Sequence, residues 1–162
     1  MNKQNIVGSL LILGAALCAA GCSGTSPKSL IAEANDMNVK RLATAYSFFH
    51  LKNKFKGPKN EAEFKKFISE QDSARMELAG IDVNDVDSLF VSERDNLPLK
   101  IRYGINSRVR GPSLAVIFED TGVEGLRHVG FTNGAMQEVD AAEYDKLFRG
   151  ERDKENVDID RG

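Results

Sequence analysis

The chain has 162 residues, enough for one domain of ordinary size, and its 41% hydrophobic and 28% charged residues are typical of a globular protein. The net charge of -2 gives no electrostatic reason to expect a nucleic-acid partner. Two histidines leave little material for a metal centre or a general base.

The first 21 residues have the pattern of a secretory signal peptide. Lys3 supplies a positive charge, and the segment from Ile6 to Ala20 is apolar. This apolar segment is too short and too rich in glycine to be a typical membrane-spanning helix. We therefore predict that residues 1–21 are a leader that is cut off after export.

Cys22 stands where a bacterial lipoprotein carries its lipid. The small residues Ala19, Ala20 and Gly21 precede it, as in a lipobox, where small residues let the peptidase reach the backbone. We predict that the Cys22 sulfur carries a diacylglycerol and that its freed amine is acylated, which anchors the chain stably in membrane lipid. Ser23 favours the outer membrane, with the protein on its periplasmic side. The alternatives are a secretory peptide that leaves a free thiol and an anchor that is never cut.

The other cysteine, Cys18, is a poor lipidation site because the bulky Leu17 precedes it. It is expected to leave with the leader, so the mature domain contains no thiol. We therefore expect no disulfide, no cysteine metal site and no cysteine nucleophile in the folded part.

Charge is unevenly distributed along the mature chain. Residues 22–66 contain nine basic and four acidic residues, a net charge of +5. The residues from 67 onward contain twelve basic and twenty acidic residues, a net charge of -8. The half nearer the predicted lipid is therefore basic, and the distal half is acidic.

A long helix is the first element expected after a Ser/Gly/Pro tether at residues 22–28. Apolar residues recur at spacings of three and four from Ser29 to Lys56, without Pro or Gly. Gly57 is expected to be its C-cap, followed by the helix breaker Pro58.

Two shorter helices are predicted next. Asn60 and Glu63 form a capping-box arrangement at the start of the second helix. Its apolar face contains Phe64, Phe67 and Ile68. A third helical stretch from Asp72 to Ala79 is expected to end at Gly80.

The second half of the chain has the periodicity of strands. Residues 97–103 alternate as a half-buried strand does, and the continuous apolar run at residues 114–118 predicts a central strand. Asn133-Gly134 predicts a two-residue hairpin turn of type I′. Phe131 would then face Met136 and share a core-facing side of the sheet with it and with Val129.

A helix from Ala141 to Phe148, capped by Asp140, is the last predicted element. Residues 150–162 read as a charged, disordered tail. Helices followed by antiparallel strands predict one α+β domain over residues 29–149, in which a long N-terminal helix and short helices pack on three or four strands.

The segments NVKRLATAYSFFH, at residues 38–50, and RHVGFTNGAMQEV, at residues 127–139, together resemble one family. These are the bacterial pilin-like proteins with a C-terminal H-x9-DG motif, whose helix reads roughly N-L-K-Q-L-x-L-A-x-H-N-Y-H and whose hairpin turn is F-x-D-G-x-V. The resemblance implies a pilin-like head, a helix packed on an antiparallel sheet. The family's long hydrophobic N-terminal helix is replaced here by the lipobox, and His128 is five rather than ten residues before the turn. A head that does not assemble into filaments is therefore expected.

Three arginines form the candidate site for contact with an anion or a partner. Arg102, Arg108 and Arg110 lie next to Tyr103 in and beside a basic loop that spans residues 106–112. The alternative is an ordinary solvated loop, which is the commoner role of exposed charge.

No catalytic or metal-binding motif is recognisable in the sequence. His50 suits a capping or surface role near the end of the first helix, and His128 is expected at the edge of the sheet. The acidic residues 82–87 do not fit a calcium-binding EF-hand loop, so helix capping by Asn84 and Asp87 is expected. We expect no metal, no cofactor and no enzymatic activity.

Three functional hypotheses follow. The first is a non-enzymatic envelope lipoprotein whose head contacts an unknown envelope protein. The second is a small periplasmic ligand-binding module that uses the basic loop, which a large apolar pocket beside Arg108 would favour. The third is an enzyme, which a carboxylate of perturbed pKa meeting His128 in a cleft would favour.

The lipid anchor gives the first testable prediction. Cys22→Ala should abolish metabolic labelling of the protein by a fatty-acid analogue, because no other residue of the lipobox offers a sulfur. Cys18→Ala is the matched control and should be labelled like the unchanged protein. Continued labelling of Cys22→Ala would refute the assignment.

Overall fold

The computed structural model describes residues 37–110 and 113–151. The predicted leader, the lipidation site Cys22, the tether and the tail beyond residue 151 lie outside the described residues. The first part of the predicted long helix, residues 29–36, lies outside them too.

Helices come first along the described residues, and the strands follow with one short helix between them and a last helix after them. The helices are α1 (Asn38–Lys52), α2 (Glu61–Ser69), α3 (Ser73–Glu77), α4 (Ser107–Arg110) and α5 (Ala141–Arg149), and a 3-10 turn covers Asp87–Phe90. The strands are β1 (Lys100–Ile101), β2 (Ala115–Phe118), β3 (Arg127–Phe131) and β4 (Met136–Val139). They form one antiparallel sheet in the order β1-β2-β3-β4. The predicted α+β class is confirmed.

The start of α1 is fixed by contacts from distant residues. Met37 precedes the helix and provides no side-chain cap. Instead, Glu93 accepts the backbone N–H of Asn38 at 2.8 Å, which satisfies one of the free donors of the first turn. The Asn38 side-chain amide donates to the carbonyl oxygens of Ser88 and Val91, each at 2.9 Å. Helix α1 is thereby tied to the 3-10 turn.

The end of α1 differs from the prediction. The helix ends at Lys52, and Lys54 and Phe55 adopt left-handed backbone with φ angles of 55° and 64°. Gly57 is therefore not the C-cap. It lies against the buried Tyr46, and a Cβ at Gly57 would be 2.1 Å from the Tyr46 hydroxyl oxygen. Close packing, rather than helix termination, requires glycine at this position.

Helices cover both faces of the sheet. Strand β2 contains a β-bulge between Ala115 and Ile117. Because of the extra residue, Val116 and Ile117 both pack in the cluster that contains α1, whereas Ala115 and Phe118 both pack in the cluster that contains α5. All four residues of β2 are buried, which agrees with the predicted central strand.

The β3–β4 hairpin is offset by one residue from the prediction. Gly130 pairs with Met136, so the loop spans residues 132–134, and of its residues only Gly134 has a positive φ. This is not the two-residue type I′ turn, which needs two positive φ angles. Met136 consequently packs on the α1 side of the sheet, whereas Val129 and Phe131 pack on the α5 side. The predicted shared face is wrong, since a slip of one residue moves a side chain to the other face.

Gly130 lets α1 lie directly on β3. A Cβ at Gly130 would be 2.9 Å from the Ala43 Cβ, 3.1 Å from the Ile117 Cβ and 3.1 Å from the Val39 carbonyl oxygen. A side chain of any size at this position would therefore push the helix away from the strand.

This close approach predicts a coupled effect on stability. Gly130→Ala should lower the free energy of unfolding by about 1–3 kcal/mol, the usual cost of overpacking. Ala43→Gly should cost about 1 kcal/mol through helix propensity. In the double variant the clash between the two Cβ atoms is gone. Urea unfolding should therefore show a smaller decrease in its free energy of unfolding than the sum of the decreases in the two single variants. Simple additivity would show that the two positions do not clash.

Candidate functional site

Exposed cations without a carboxylate partner gather beyond the C-terminal end of α1. Elsewhere such partners are common: the Lys65 ammonium lies 2.6 Å from Glu61 and 2.8 Å from Asp87. Within the described residues, no ion pair involves the four side chains that we name the basic face. They are Lys54, Lys56, Lys59 and Arg108.

Backbone pairing connects the segment that contains the lysines of the basic face to the segment that contains Arg108. Lys56 and Asn106 form an antiparallel bridge, and the Ser107 N–H donates to the Phe55 carbonyl oxygen at 3.1 Å. These bonds hold the segment that follows α1 against α4. The three lysines therefore lie on the same part of the surface as Arg108.

Phe55 is the apolar member of this surface. Its ring is 41% exposed, and the Arg108 guanidinium lies 5.5 Å from the ring centroid, within the range of a cation–π contact. A partly exposed aromatic ring next to an arginine is a composition that is enriched in protein interfaces.

A cavity of about 410 Å³ adjoins the basic face. Its lining combines amide and charged side chains with two glycines and one aromatic ring: Phe49, Asn53, Lys56, Gly57, Lys59, Glu63, Gly104 and Asn106. Glu63 is already engaged, because its carboxylate accepts the Lys59 backbone N–H at 2.5 Å. Arg108 is not among these lining residues, so this cavity is not the large apolar pocket beside Arg108 that would favour the ligand-binding hypothesis.

The structure separates the three predicted arginines. Arg108 is exposed on the basic face, and α4 replaces part of the predicted loop. Arg102 is partly buried, and its guanidinium donates to the Ala115 carbonyl oxygen at 3.0 Å, so it braces the start of β2. The side chain of Arg110 lies outside the described part of the chain.

The lysines of the basic face were not among the predicted site residues. The excess of positive charge in residues 22–66 was the signal that pointed to them. Sequence could not show which lysines lack a partner, because Lys65 meets Asp87 only in the folded chain.

His50 is buried, and the predicted capping or surface role is wrong. The residue is 3% exposed, and its ring packs edge-on against Tyr46 with centroids 4.9 Å apart. Its Nδ1 lies 3.4 Å from the Ser107 hydroxyl oxygen. Burial lowers the pKa of His50, so the imidazole is neutral at neutral pH. Ser107 is buried too, so the pair lies in the interior of the domain.

His128 also differs from the prediction. It lies in β3, between β2 and β4, and not at the edge of the sheet. Its backbone N–H donates to the Glu119 carboxylate at 2.6 Å, and its Nδ1 lies 3.6 Å from the same carboxylate. Arg94 covers the ring, with its Nη1 2.7 Å from His128 Nε2 and 3.0 Å from the Glu138 carboxylate.

Glu119 is the carboxylate of perturbed pKa that meets His128. Burial acts to raise its pKa, but hydrogen bonds from His128 and Ser92 outweigh burial and hold the pKa of Glu119 below its ordinary value. Glu119 is only 1% exposed and His128 only 6%. The pair therefore lies in the interior, where its hydrogen bonds and ion pairs form a buried polar network.

The acidic residues 82–87 do not cap a helix. The Asp82 carboxylate accepts the Asn84 N–H at 2.8 Å, and Asp87 pairs with Lys65. The 3-10 turn has no side-chain cap, so the predicted capping roles of Asn84 and Asp87 are wrong. No group of three or more potential metal ligands occurs within residues 37–110 and 113–151.

No protein-family model, no characterised protein and no solved structure matches the chain. The resemblance to pilin-like proteins accordingly stays a prediction. In the part of the chain that the structure describes, every helix is too short or too polar to cross a membrane.

The ion network predicts a pH-dependent loss of stability. Glu119→Gln places an amide N–H₂ among hydrogen-bond donors and should lower the free energy of unfolding at pH 7 by about 1–3 kcal/mol. Because folding lowers the pKa of Glu119, the stability that its carboxylate contributes is fully present above the unfolded pKa of about 4.3. This stability is lost as the pH falls through the pKa of the folded state. The difference between the two proteins in urea unfolding should therefore shrink in acid.

Glu70→Gln is the matched control for this measurement. Glu70 is an exposed carboxylate just after α2, paired only with Lys66 at 3.8 Å. Its removal should change stability by less than about 0.5 kcal/mol. Equal unfolding midpoints for Glu119→Gln and Glu70→Gln would contradict the assigned role of Glu119.

Proposed function

We propose that this protein is a lipid-anchored protein of the bacterial envelope whose folded head binds another envelope protein through the basic face. The predicted lipid on Cys22 holds the head at the periplasmic side of the outer membrane. The observation that carries the proposal is the group of exposed cations without carboxylate partners, gathered around the partly exposed Phe55.

Charge favours a protein partner with an acidic surface. The whole chain has a net charge of -2, so the basic face runs against the overall charge of the protein. Unpaired cations close together repel one another and contribute little to folding. They attract an oppositely charged surface, speed its association and fix its orientation.

The position of the basic face supports a partner other than the anchoring bilayer. The described chain begins at residue 37, at the N-terminal end of α1. The basic face lies beyond the opposite end of this helix, whose 15 residues span about 22 Å. An anchored head can therefore present the basic face away from the N-terminal end of α1.

A small periplasmic module for an anionic ligand is the second candidate. The cavity beside the basic face favours it, because Lys56, Lys59 and Asn106 contribute cationic and amide groups to one lining. The mixed lining suits a small anion better than an apolar molecule. We propose no catalytic role, because both histidines are buried.

Charge reversal tests the protein-binding proposal. The triple variant Lys54→Glu, Lys56→Glu, Arg108→Glu should reduce the amount of a partner protein that copurifies with the detergent-solubilised lipoprotein by at least about tenfold. Three reversed charges would face an acidic partner with like charge, and such a juxtaposition costs several kcal/mol, whereas about 1.4 kcal/mol already corresponds to tenfold. Quantitative mass spectrometry of the purified material measures this loss.

The control carries the same change in charge at other places. Lys66→Glu, Lys100→Glu, Lys146→Glu alters α2, β1 and α5 and should retain the partner. Equal recovery with the two triple variants would refute the basic face as the contact. Consistent purification without any protein, but with a small anion detected by native mass spectrometry, would favour the second candidate instead.

A further inference from the structure

A groove lies between the last turns of α1 and the helices α2 and α3. It encloses about 360 Å³. Its floor and wall are apolar and consist of Phe48, Leu51, Phe67 and Met76. Met76 and Phe67 are buried and Phe48 is half-buried, whereas Leu51 is 66% exposed. The groove thus offers both a formed floor and an uncovered leucine.

Two cations stand at the rim of this groove. The Arg75 guanidinium lies 4.9 Å from the centroid of the Phe48 ring, and the Lys52 ammonium lies 5.5 Å from that of Phe67. Neither cation has a carboxylate partner among the described residues. Both are therefore held in place by aromatic rings while their charge is left unpaired.

We infer that this groove binds an acidic amphipathic helix of a partner protein, with apolar side chains on Leu51 and the groove floor and carboxylates on Lys52 and Arg75. The inference rests on the proposed function, whose partner it describes more closely. Charge complementarity selects the acidic class, and the apolar floor selects an amphipathic segment.

The surroundings of the groove favour a helical occupant. Its walls are helices, which offer ridges and grooves of side chains, and no strand of the sheet contributes to its lining. An extended peptide would find no sheet edge there with which to pair. Lys52 is only two residues before Lys54, so one acidic partner can cover the groove and the basic face together.

The chain's own C-terminal segment is the rival occupant. Residues 152–162 lie outside the described residues and contain four acidic and three basic residues, with Val157 and Ile159 among them. Peptide binding to chains with and without this segment distinguishes the two occupants.

A model peptide provides the probe. A fluorescent peptide of about 16 residues, with leucines on one helical face and glutamates on the other, should bind saturably to the full lipidated chain in phosphatidylcholine nanodiscs. Fluorescence anisotropy measures its Kd. Leu51→Asp should weaken binding by about tenfold or more, which is what burying a leucine side chain is worth. Arg75→Gln should weaken binding by about threefold or more and reduce its dependence on salt.

Matched controls keep these variants interpretable. Leu78→Asp changes a leucine that is 92% exposed and lies outside the groove, and it should leave Kd unchanged. Lys66→Gln is the corresponding control for Arg75→Gln. All four positions are exposed, so circular dichroism should show the same fold in every variant.

Four outcomes would overturn the inference. They are an absence of saturable binding to the unchanged protein, equal binding of a peptide with lysines in place of the glutamates, equal Kd for Leu51→Asp and Leu78→Asp, and tenfold tighter binding to a chain that ends at Glu151. The last would show that the C-terminal segment occupies the groove. None of these outcomes alters the copurification result with the basic-face variant, so the two proposals fail separately.

Discussion

The β-bulge between Ala115 and Ile117 is the constraint on which the rest of the structure depends. It places Val116 and Ile117 on one side of the sheet and Ala115 and Phe118 on the other, so that a strand of four residues serves two cores. Helices α1 and α5 can then cover opposite faces. Without the extra residue, the alternation of β2 would continue unbroken and one of these helices would lose a contact side chain. Helix α1 packs on the side of Val116 and Ile117, and the basic face lies beyond the C-terminal end of this helix.

Local signals in the sequence predicted those parts of the fold that neighbouring residues determine. Asn60 caps α2 by accepting the Glu63 N–H, and Asp140 caps α5 by accepting the Glu143 N–H, each at 2.9 Å. The apolar run of β2 also indicated a central strand, because a strand that is buried on both faces does not alternate between polar and apolar residues. The class of the fold follows from the order of these elements, and so it was predictable too.

The features that sequence missed depend on contacts between distant residues. Gly57 reads as a helix C-cap, yet it serves the packing of Tyr46, eleven positions earlier in the chain. The register of the hairpin depends on which side of the sheet accepts Met136, and the strong Asn-Gly signal does not contain this information. Arg108 was predicted as a site residue, but the lysines of the basic face were missed for a related reason. Arg102 becomes a brace for the Ala115 carbonyl group only once the sheet has formed, whereas the lysines after α1 are left without a partner by the same folding.

Polar groups in the described domain divide into two sets with different physical roles. Glu119, His128 and Ser92 are buried and bonded to one another, and such a network is costly to break because each loss leaves a desolvated group without a partner. The cations at the end of α1 are exposed, and among the described residues they form no ion pair, so their charges contribute little to the stability of the fold. The buried polar network lies near β3 and the 3-10 turn, whereas the unpaired charge lies beyond the C-terminal end of α1. A partner that neutralised this charge would gain electrostatic energy without breaking any contact that stabilises the domain, and for this reason we propose this end of the molecule as the binding surface.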